Sequence, residues 1–176
     1  LTLGKVGLPA SSKVGDVKVE KKDYTLSFLN DGKTRVLDVH LEDFNGGRPL
    51  TAHVELTDEP RDSMVIATPF AGYPRHFYYN QKINCLRAKG DVTFGGETYT
   101  FHPETDMAVL DWGRGVWTYS NTWYWGSLST VTADGRAVGL NLGYGFGDTS
   151  AATENMLFVD GIAHKLEHVV FEIPKN

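Results

Sequence analysis

Apolar and polar residues alternate one for one in many short segments of the chain. In "TAHVEL", residues 51–56, Ala52, Val54 and Leu56 fall on one side and the polar residues between them on the other. "YTLSFL", residues 24–29, alternates in the same way. Because successive side chains of a strand point to opposite faces, a period of two predicts strands with one buried face. Since no segment keeps a helical period over three turns, we predict an all-β protein.

Turn signals separate these segments. Asn-Gly, Asp-Gly and Gly-Gly pairs are typical of tight hairpins. They occur in "NDGK" (30–33), "NGGR" (45–48), "FGGE" (94–97), "ADGR" (133–136) and "VDGI" (159–162). About ten short strands joined by such turns predict an antiparallel meander. The meander must close into a barrel or stack as two sheets, because one open sheet would leave an apolar face in water.

One predicted hairpin carries a cluster of aromatic residues. If Asp134-Gly135 is a two-residue loop, Trp125 pairs with Tyr144 and Trp123 pairs with Phe146 on one face. The opposite face holds mostly glycine, which is typical of a bend or of close approach by another segment. Two interpretations of the four rings stay open: they plug the end of a core, or they line a ligand pocket.

Length and charge narrow the classes of partner. The 176 residues suit one ordinary domain. The net charge is −5 with acidic and basic residues mixed, so the chain offers no basic face to nucleic acid. No apolar run approaches the ~20 residues that cross a bilayer as a helix. Cys85 is the single cysteine, which is compatible with a reducing compartment, and we expect a cytoplasmic protein.

Several separated motifs together resemble one family. They are "FYYNQKINCLRAKGDVTFGGETYTF", "AVLDWGRGVW", "WYWGS", "GLNLGYGFGD" and "TENMLFVDGIAHKLEHVVFEI", in this order. The pattern resembles the bacterial family known as domain of unknown function 2804 over nearly the whole chain. That family is similar to the lipocalin-like proteins that include the AttH group and hydroxyneurosporene synthase, a carotenoid 1,2-hydratase.

The resemblance implies a fold and a domain organisation. The lipocalin-like relatives have two β domains and carry a glycine hairpin followed by an aspartate and a tryptophan-glycine signature. The similar elements here are residues 90–97, then Asp111, Trp112 and Gly113. The resemblance therefore implies that residues 1–176 form a single lipocalin-like (calycin) domain, a barrel or half-barrel incomplete at both ends. The start at Leu1 and the strand-like last residues also suggest a fragment of a longer protein.

All four tryptophans lie in "LDWGRGVWTYSNTWYWGS", residues 110–127. The segment divides near Ser120 into a turn-rich part and a strand. In the first part, Asp111 and Arg114 are close enough in sequence for an ion pair that holds the loop. Alternatively, Asp111 is a general acid beneath the tryptophans, which requires that a dry setting keeps it protonated, an effect that a paired arginine opposes.

Other polar residues give weaker candidates. Glu154 and Asn155 precede the predicted strand "MLFV", and we expect them to make hydrogen bonds where that strand begins. Tyr78, Tyr79 and Lys82 belong to a strand end that either faces the same cavity or lies on the surface. None of the six histidines has a spacing that demands a metal, so we expect no metal and no cofactor.

The leading hypothesis is a lipocalin-like module that binds a hydrophobic small molecule, a lipid or an isoprenoid. The predicted ligand-binding residues are Trp112, Trp117, Tyr119, Trp123, Trp125, Tyr144, Phe146, Glu154 and Asn155. One alternative is a hydratase-like or cyclase-like enzyme with Asp111 as the acid and Arg114 beside it; a further alternative is a carbohydrate-binding β-sandwich. Whether the protein is an enzyme stays open, and edge strands of an unfinished barrel would favour a homo-oligomer.

Overall fold

A computed structural model describes residues 6–174 and is all-β. It contains twelve strands and no helix within these residues. The strands are β1 (Val17–Lys21), β2 (Tyr24–Asn30), β3 (Arg35–Asn45), β4 (Arg48–Thr57), β5 (Met64–Phe70), β6 (Tyr73–Phe94), β7 (Glu97–Phe101), β8 (Met107–Val116), β9 (Tyr124–Val131), β10 (Ala137–Tyr144), β11 (Met156–Val159) and β12 (Ile162–Lys165). Leu1 and Asn176, at the ends for which we expect truncation, lie outside the described residues.

The five predicted turns all join neighbouring antiparallel strands. They connect β2 to β3, β3 to β4, β6 to β7, β9 to β10, and β11 to β12. The antiparallel meander is therefore confirmed. Within residues 6–174 the sheets do not close into a barrel, so of the two expected forms, barrel and half-barrel, the closed barrel is not found. No helix in the described range is long and apolar enough to cross a membrane.

The chain divides into two compact units. The first comprises the described residues within Leu1–Glu59 together with Leu86–Ala108. Its strands follow the order β1, β2, β3, β4, then the second half of β6, then β7. The predicted alternation is confirmed in β4, where Val54 and Leu56 are buried while His53 is exposed.

The second unit comprises Pro60–Cys85 and the described residues within Val109–Asn176. Here β5 and β8 pair with the first half of β6, and a separate four-stranded sheet follows the order β12, β11, β10, β9. Met64, Ile83 and Phe158 are its largest apolar side chains that are almost fully buried. All the candidate site residues lie in this unit.

The register of the β9–β10 hairpin differs from the prediction by one residue. Thr132 and Arg136 bond to each other, which leaves a three-residue loop in place of the two-residue Asp134-Gly135 loop. Trp125 therefore pairs with Gly143, and Tyr144 pairs with Tyr124. Since a shift of one residue exchanges the faces of a strand, Trp125 and Tyr144 point to opposite faces instead of forming one cluster.

The glycine-rich face of this hairpin is explained by close packing. A Cβ atom at Gly139 would lie 2.8 Å from Cys85 Sγ and 2.9 Å from Asn84 Cβ, and one at Gly143 would overlap the Glu154 side chain. Glycine at these positions lets β6 and Glu154 approach the backbone of β10 closely. Close approach by another segment, rather than a bend, therefore accounts for these glycines.

Candidate functional site

A hollow of about 500 Å³ lies within the second unit. Its wall combines aromatic rings with three charged side chains. It is lined by Tyr78, Lys82, Asp111, Trp117, Thr118, Tyr119, Asn121, Trp123, Trp125, Phe146 and Glu154. Seven of the predicted site residues are therefore brought together: Asp111, Trp117, Tyr119, Trp123, Trp125, Phe146 and Glu154.

Lys82 holds the charged part of the hollow together. Its side chain is only 3% exposed, and its Nζ lies 2.6 Å from Asp111 Oδ2 and 3.7 Å from Glu154 Oε2. The same Nζ lies 4.7 Å from the centroid of the Trp125 ring. A buried ammonium group is costly unless carboxylates compensate its charge, and the face of an indole adds a further attraction. We refer to Lys82, Asp111 and Glu154 as the charged triad.

The face of β6 that carries Lys82 also supplies the buried amides around it. Asn80, Lys82 and Asn84 alternate along the strand and so share one face. Asn80 is fully buried and donates a hydrogen bond from Nδ2 to Asp111 Oδ1 at 3.3 Å. The Lys82 ammonium and the Asn80 amide thus contact different oxygens of Asp111, which fixes the orientation of a carboxyl group that is 49% exposed.

Asn84 anchors β6 to the β9–β10 hairpin. Its side chain is fully buried, and Nδ2 lies 3.1 Å from Ser127 Oγ, 3.2 Å from the Leu128 carbonyl oxygen and 3.3 Å from the Leu140 carbonyl oxygen. One amide therefore contacts both strands of the hairpin. This contact fixes the distance between Lys82 on β6 and Trp125 on β9.

A second amide orients Trp125 and Glu154. Asn141, fully buried on β10, accepts a hydrogen bond from Trp125 Nε1 at 2.9 Å. Its own Nδ2 donates to the Glu154 carbonyl oxygen at 2.9 Å and lies 3.2 Å from Glu154 Oε2. The Glu154 side chain is 10% exposed, so these contacts replace the water that it loses.

Phe146 is the centre of the aromatic wall. Its ring makes edge-to-face contacts with Tyr78, Trp117 and Trp123 at centroid distances of 4.6, 5.8 and 5.2 Å. The rings of Trp117, Trp123 and Trp125 are nevertheless about half exposed. The rings of Trp123 and Phe146 are in contact, although the two residues lie beyond β9 and β10 and do not form the predicted cross-strand pair. These rings line an open hollow rather than a filled core.

Tyr78 lies between the aromatic wall and the triad. Burial, followed by the negative charges of Asp111 and Glu154, raises the pKa of the Tyr78 hydroxyl well above its ordinary value. Tyr78 is therefore a neutral phenol at physiological pH. It is an apolar surface with a hydrogen-bonding tip rather than a base.

The segment around Asp111 is a strand and not the predicted turn-rich loop. Asp111, Trp112 and Arg114 all belong to β8. Because they are three residues apart, Asp111 and Arg114 point to opposite faces of the strand. Asp111 contacts Lys82, whereas the Arg114 guanidinium lies 4.5 Å over the ring of Trp112. Trp112 and Arg114 do not line the hollow.

Glycine in β8 allows the strand to approach β6. A Cβ atom at Gly113 would lie 3.1 Å from both the Tyr78 ring and the Tyr79 carbonyl oxygen, and one at Gly115 would overlap the Phe77 carbonyl. The glycines alternate with Trp112 and Arg114, so they lie on the face of Asp111. Of the "DWGRG" motif, only the Asp111 side chain therefore lines the hollow.

The chain matches one protein family over its whole length. The family described as Domain of unknown function (DUF2804) matches residues 1–176. The chain belongs to this family. Neither the curated proteins nor the solved structures that were compared gave a match.

Two predicted site residues of this DUF2804 chain face another cavity. Tyr144 and Asn155 line a second hollow of about 720 Å³. Tyr144 stacks on Phe171, with ring centroids 5.5 Å apart. Asn155 Oδ1 accepts a hydrogen bond from the Gly143 amide at 2.9 Å, just before β11 begins at Met156. The shift in hairpin register is the reason that Tyr144 leaves the tryptophans.

The buried amides Asn80, Asn84 and Asn141 belong to the site but were not predicted from the sequence. A signal exists in the DUF2804 segment "NQKIN", where Asn80, Lys82 and Asn84 occupy alternate positions of one strand face. A polar face of a strand is ordinarily solvent-exposed, so the pattern alone predicts the surface. Within residues 6–174, no cluster of three metal-ligating side chains is present.

Proposed function

We propose that the hollow binds a small organic molecule with an apolar body, of the lipid or isoprenoid class. One observation carries this proposal. The half-exposed rings of Trp117, Trp123 and Trp125 line the same 500 Å³ volume as the charged triad. Ligand sites typically enclose about 300–1,000 Å³ and combine aromatic walls with a few fixed polar groups.

The exposure of the tryptophan rings favours ligand binding over packing in a hydrophobic core. Rings that plug a core would be buried, and covering apolar surface is favourable by about 25 cal/mol per Å². An apolar ligand that covers three indoles would gain this free energy without rearranging the wall. The amides of Asn80 and Asn141 hold the charged groups in place before the ligand arrives, which lowers the entropic cost of binding.

Tryptophan fluorescence and native mass spectrometry test the proposal. Titration with neutral long-chain alcohols and isoprenoid alcohols should change the emission, and protein from its own host should carry a bound molecule. Trp123→Ala should weaken binding about tenfold, or 1.4 kcal/mol. Trp112→Ala is the matched control, because Trp112 lies outside the hollow, and its affinity should stay within about twofold. Absence of binding by every compound tested would refute the proposal.

The second candidate function is an enzyme that acts on the same molecule, of the hydratase or cyclase class. The placement of the Asp111 carboxyl group in the hollow, where Asn80 orients it, supports this candidate, whereas the ion pair with Lys82 at 2.6 Å opposes a general-acid role. Asp111→Asn should then abolish turnover of a neutral substrate while its affinity stays within about tenfold. A carbohydrate ligand would use the same rings, and binding of oligosaccharides in preference to the alcohols would select that alternative.

The remaining expectations are also proposals. The likeness to the lipocalin-like AttH group and a bacterial origin rest on the sequence motifs, and a cytoplasmic location rests on the single Cys85. A homo-oligomer through edge strands is supported by the open outer strands β9 and β12 of the second sheet. Light scattering at two protein concentrations tests the last of these.

A further inference from the structure

The charges of the triad do not balance. The described residues that line the hollow carry one ammonium group, on Lys82, and two carboxylates, on Asp111 and Glu154. Arg114, the cation closest in sequence to Asp111, lies over Trp112 on the other face of β8. The lining of the hollow therefore has an excess of one negative charge beside aromatic rings, and Lys165, which acts on Glu154 from outside the lining, compensates part of it. Such an excess attracts positive ligands, and partial burial strengthens the attraction.

Lys82 demonstrates how this hollow holds a cation. Its ammonium group contacts a carboxylate at 2.6 Å and the face of an indole ring at 4.7 Å. The hollow offers further aromatic surface beside the same Asp111 carboxylate. The carboxyl group of Asp111 is half exposed, and the rings of Trp117 and Trp123 are half exposed in the same hollow. A carboxylate among aromatic rings is a recurrent binding arrangement for organic ammonium groups.

The pKa of the Tyr78 hydroxyl responds to the electrostatic potential in the hollow. Burial is the main cause of its raised pKa, and the charges of Asp111 and Glu154 raise the pKa further. Only the part of the shift that Asp111 and Glu154 cause indicates a negative potential, because burial disfavours charge of either sign. This effect acts at the junction of the aromatic wall and the triad, where a ligand would meet both.

We propose that the polar group of the ligand is a cation, an ammonium group on an apolar body, held by the Asp111 carboxylate and the rings of Trp117 and Trp123. This inference rests on the proposed binding function and names its ligand class. One positive charge from the ligand would make the hollow neutral, with two ammonium groups facing two carboxylates. The apolar body would then cover the remaining aromatic surface.

Three compounds with the same eight-carbon chain test the inference on the wild-type protein. They are octylammonium, octan-1-ol and octanoate, which are positive, neutral and negative at neutral pH. Below their aggregation limits, tryptophan fluorescence and calorimetry should show octylammonium binding at least about tenfold more tightly than octan-1-ol. Octanoate should bind most weakly. The preference for octylammonium should fall as salt is added, because salt screens the charges.

Two single variants test whether Asp111 causes the preference for octylammonium. Asp111→Asn should reduce octylammonium affinity about tenfold and leave octan-1-ol affinity within about twofold. Asp134→Asn, a matched change of charge in the β9–β10 loop, should leave both affinities unchanged. Retained near-ultraviolet circular dichroism would show that the variants fold.

The outcomes separate the two proposals. Equal or tighter binding of octan-1-ol would overturn the cation inference and leave the apolar binding function standing. Tightest binding of octanoate would overturn the inference in the same way. Failure of all three compounds, together with the isoprenoid alcohols, would overturn both.

Discussion

The side chain of Glu154 fills the space next to the α-carbon of Gly143. A methyl group at Gly143 would overlap the Glu154 carboxyl group, which is held by Asn141 and faces Lys82. The absence of a side chain on β10 is therefore a condition for the charged triad. Glycine is required here for space, because the hydrogen-bonded strand gives no room for the backbone to move away.

Gly143→Ala should lower the free energy of unfolding by about 1–3 kcal/mol, because the overlap forces Glu154 or β10 to move. Urea denaturation measures the loss. Gly126→Ala, in β9 of the same hairpin, is the matched control, since no atom lies within 4 Å of its Cβ position. We expect Gly126→Ala to be neutral or slightly stabilising. Equal effects of the two changes would show that Glu154 is not held in this space.

Lys82→Met should destabilise the protein, because it removes the ammonium group that lies between the Asp111 and Glu154 carboxylates. Loss of one partner of a buried ion pair costs up to several kcal/mol, and the half-exposure of Asp111 reduces the expected loss to about 2 kcal/mol. The double variant Lys82→Met with Glu154→Gln should recover part of the lost stability, because the uncompensated buried charge is then removed. Lys18→Met removes an exposed lysine paired to Asp16 at 3.9 Å and should change stability by less than about 0.5 kcal/mol. A loss no larger than that of Lys18→Met would contradict the assigned contacts of Lys82.

Asn84→Ala should cost about 2–3 kcal/mol, since it removes a fully buried donor that contacts both strands of the β9–β10 hairpin. Hydrogen exchange should show faster opening of the hairpin amides. Asn45→Ala, at the exposed end of β3, is the control and should have little effect. If Asn84→Ala destabilised without changing exchange in the hairpin, the anchoring role would be wrong.

His53 should titrate above its ordinary pKa of 6.5. Its Nδ1 lies 2.5 Å from Asp38 Oδ1, and this hydrogen bond raises the pKa of the ring, with Glu55 adding to the effect. Since the folded-state pKa is raised, the stabilisation is complete below pH 6.5 and disappears as the pH rises through the folded-state value. Both side chains are exposed, so we expect only about 0.3 kcal/mol.

A proton NMR titration of His53 measures this pKa directly. Asp38→Asn should return it towards 6.5 and flatten the pH dependence of stability above that pH. An unchanged His53 titration in Asp38→Asn would exclude the hydrogen bond as the cause.

The strands and turns were predictable because each depends on local sequence. Alternation of apolar residues and the Gly-containing turns act over a few neighbouring positions, and together they located all five hairpins. The β9–β10 loop depends on more than the turn pair itself. Thr132 and Arg136 bond across the loop and extend it by one residue, which the Asp134-Gly135 pair does not reveal. That single residue moved Tyr144 to the other face.

The site was predictable only in part. The aromatic residues 117, 123 and 125 were indicated by their clustering in sequence, and Asp111 by the motif that contains it. The ion-pair partner of Asp111 was not predictable, because Lys82 lies on another strand and local sequence does not determine which strands pair. The role of Asn141 could not be predicted, because the sequence around an asparagine in a strand does not show whether its side chain faces water or a buried carboxylate.

The contact between Asp62 and the last hairpin has a consequence for synthesis of the chain. The carboxylate of Asp62 accepts a hydrogen bond from the Ala163 amide, 101 residues further along the chain. On the ribosome, the second unit therefore begins to emerge with Pro60 but lacks this partner until Ala163 has been translated. Such distant pairings form late and slowly. At about 5–20 residues per second, translation from Trp125 to Ala163 takes a few seconds, and during that interval chaperones have access to the tryptophans of residues 112–125.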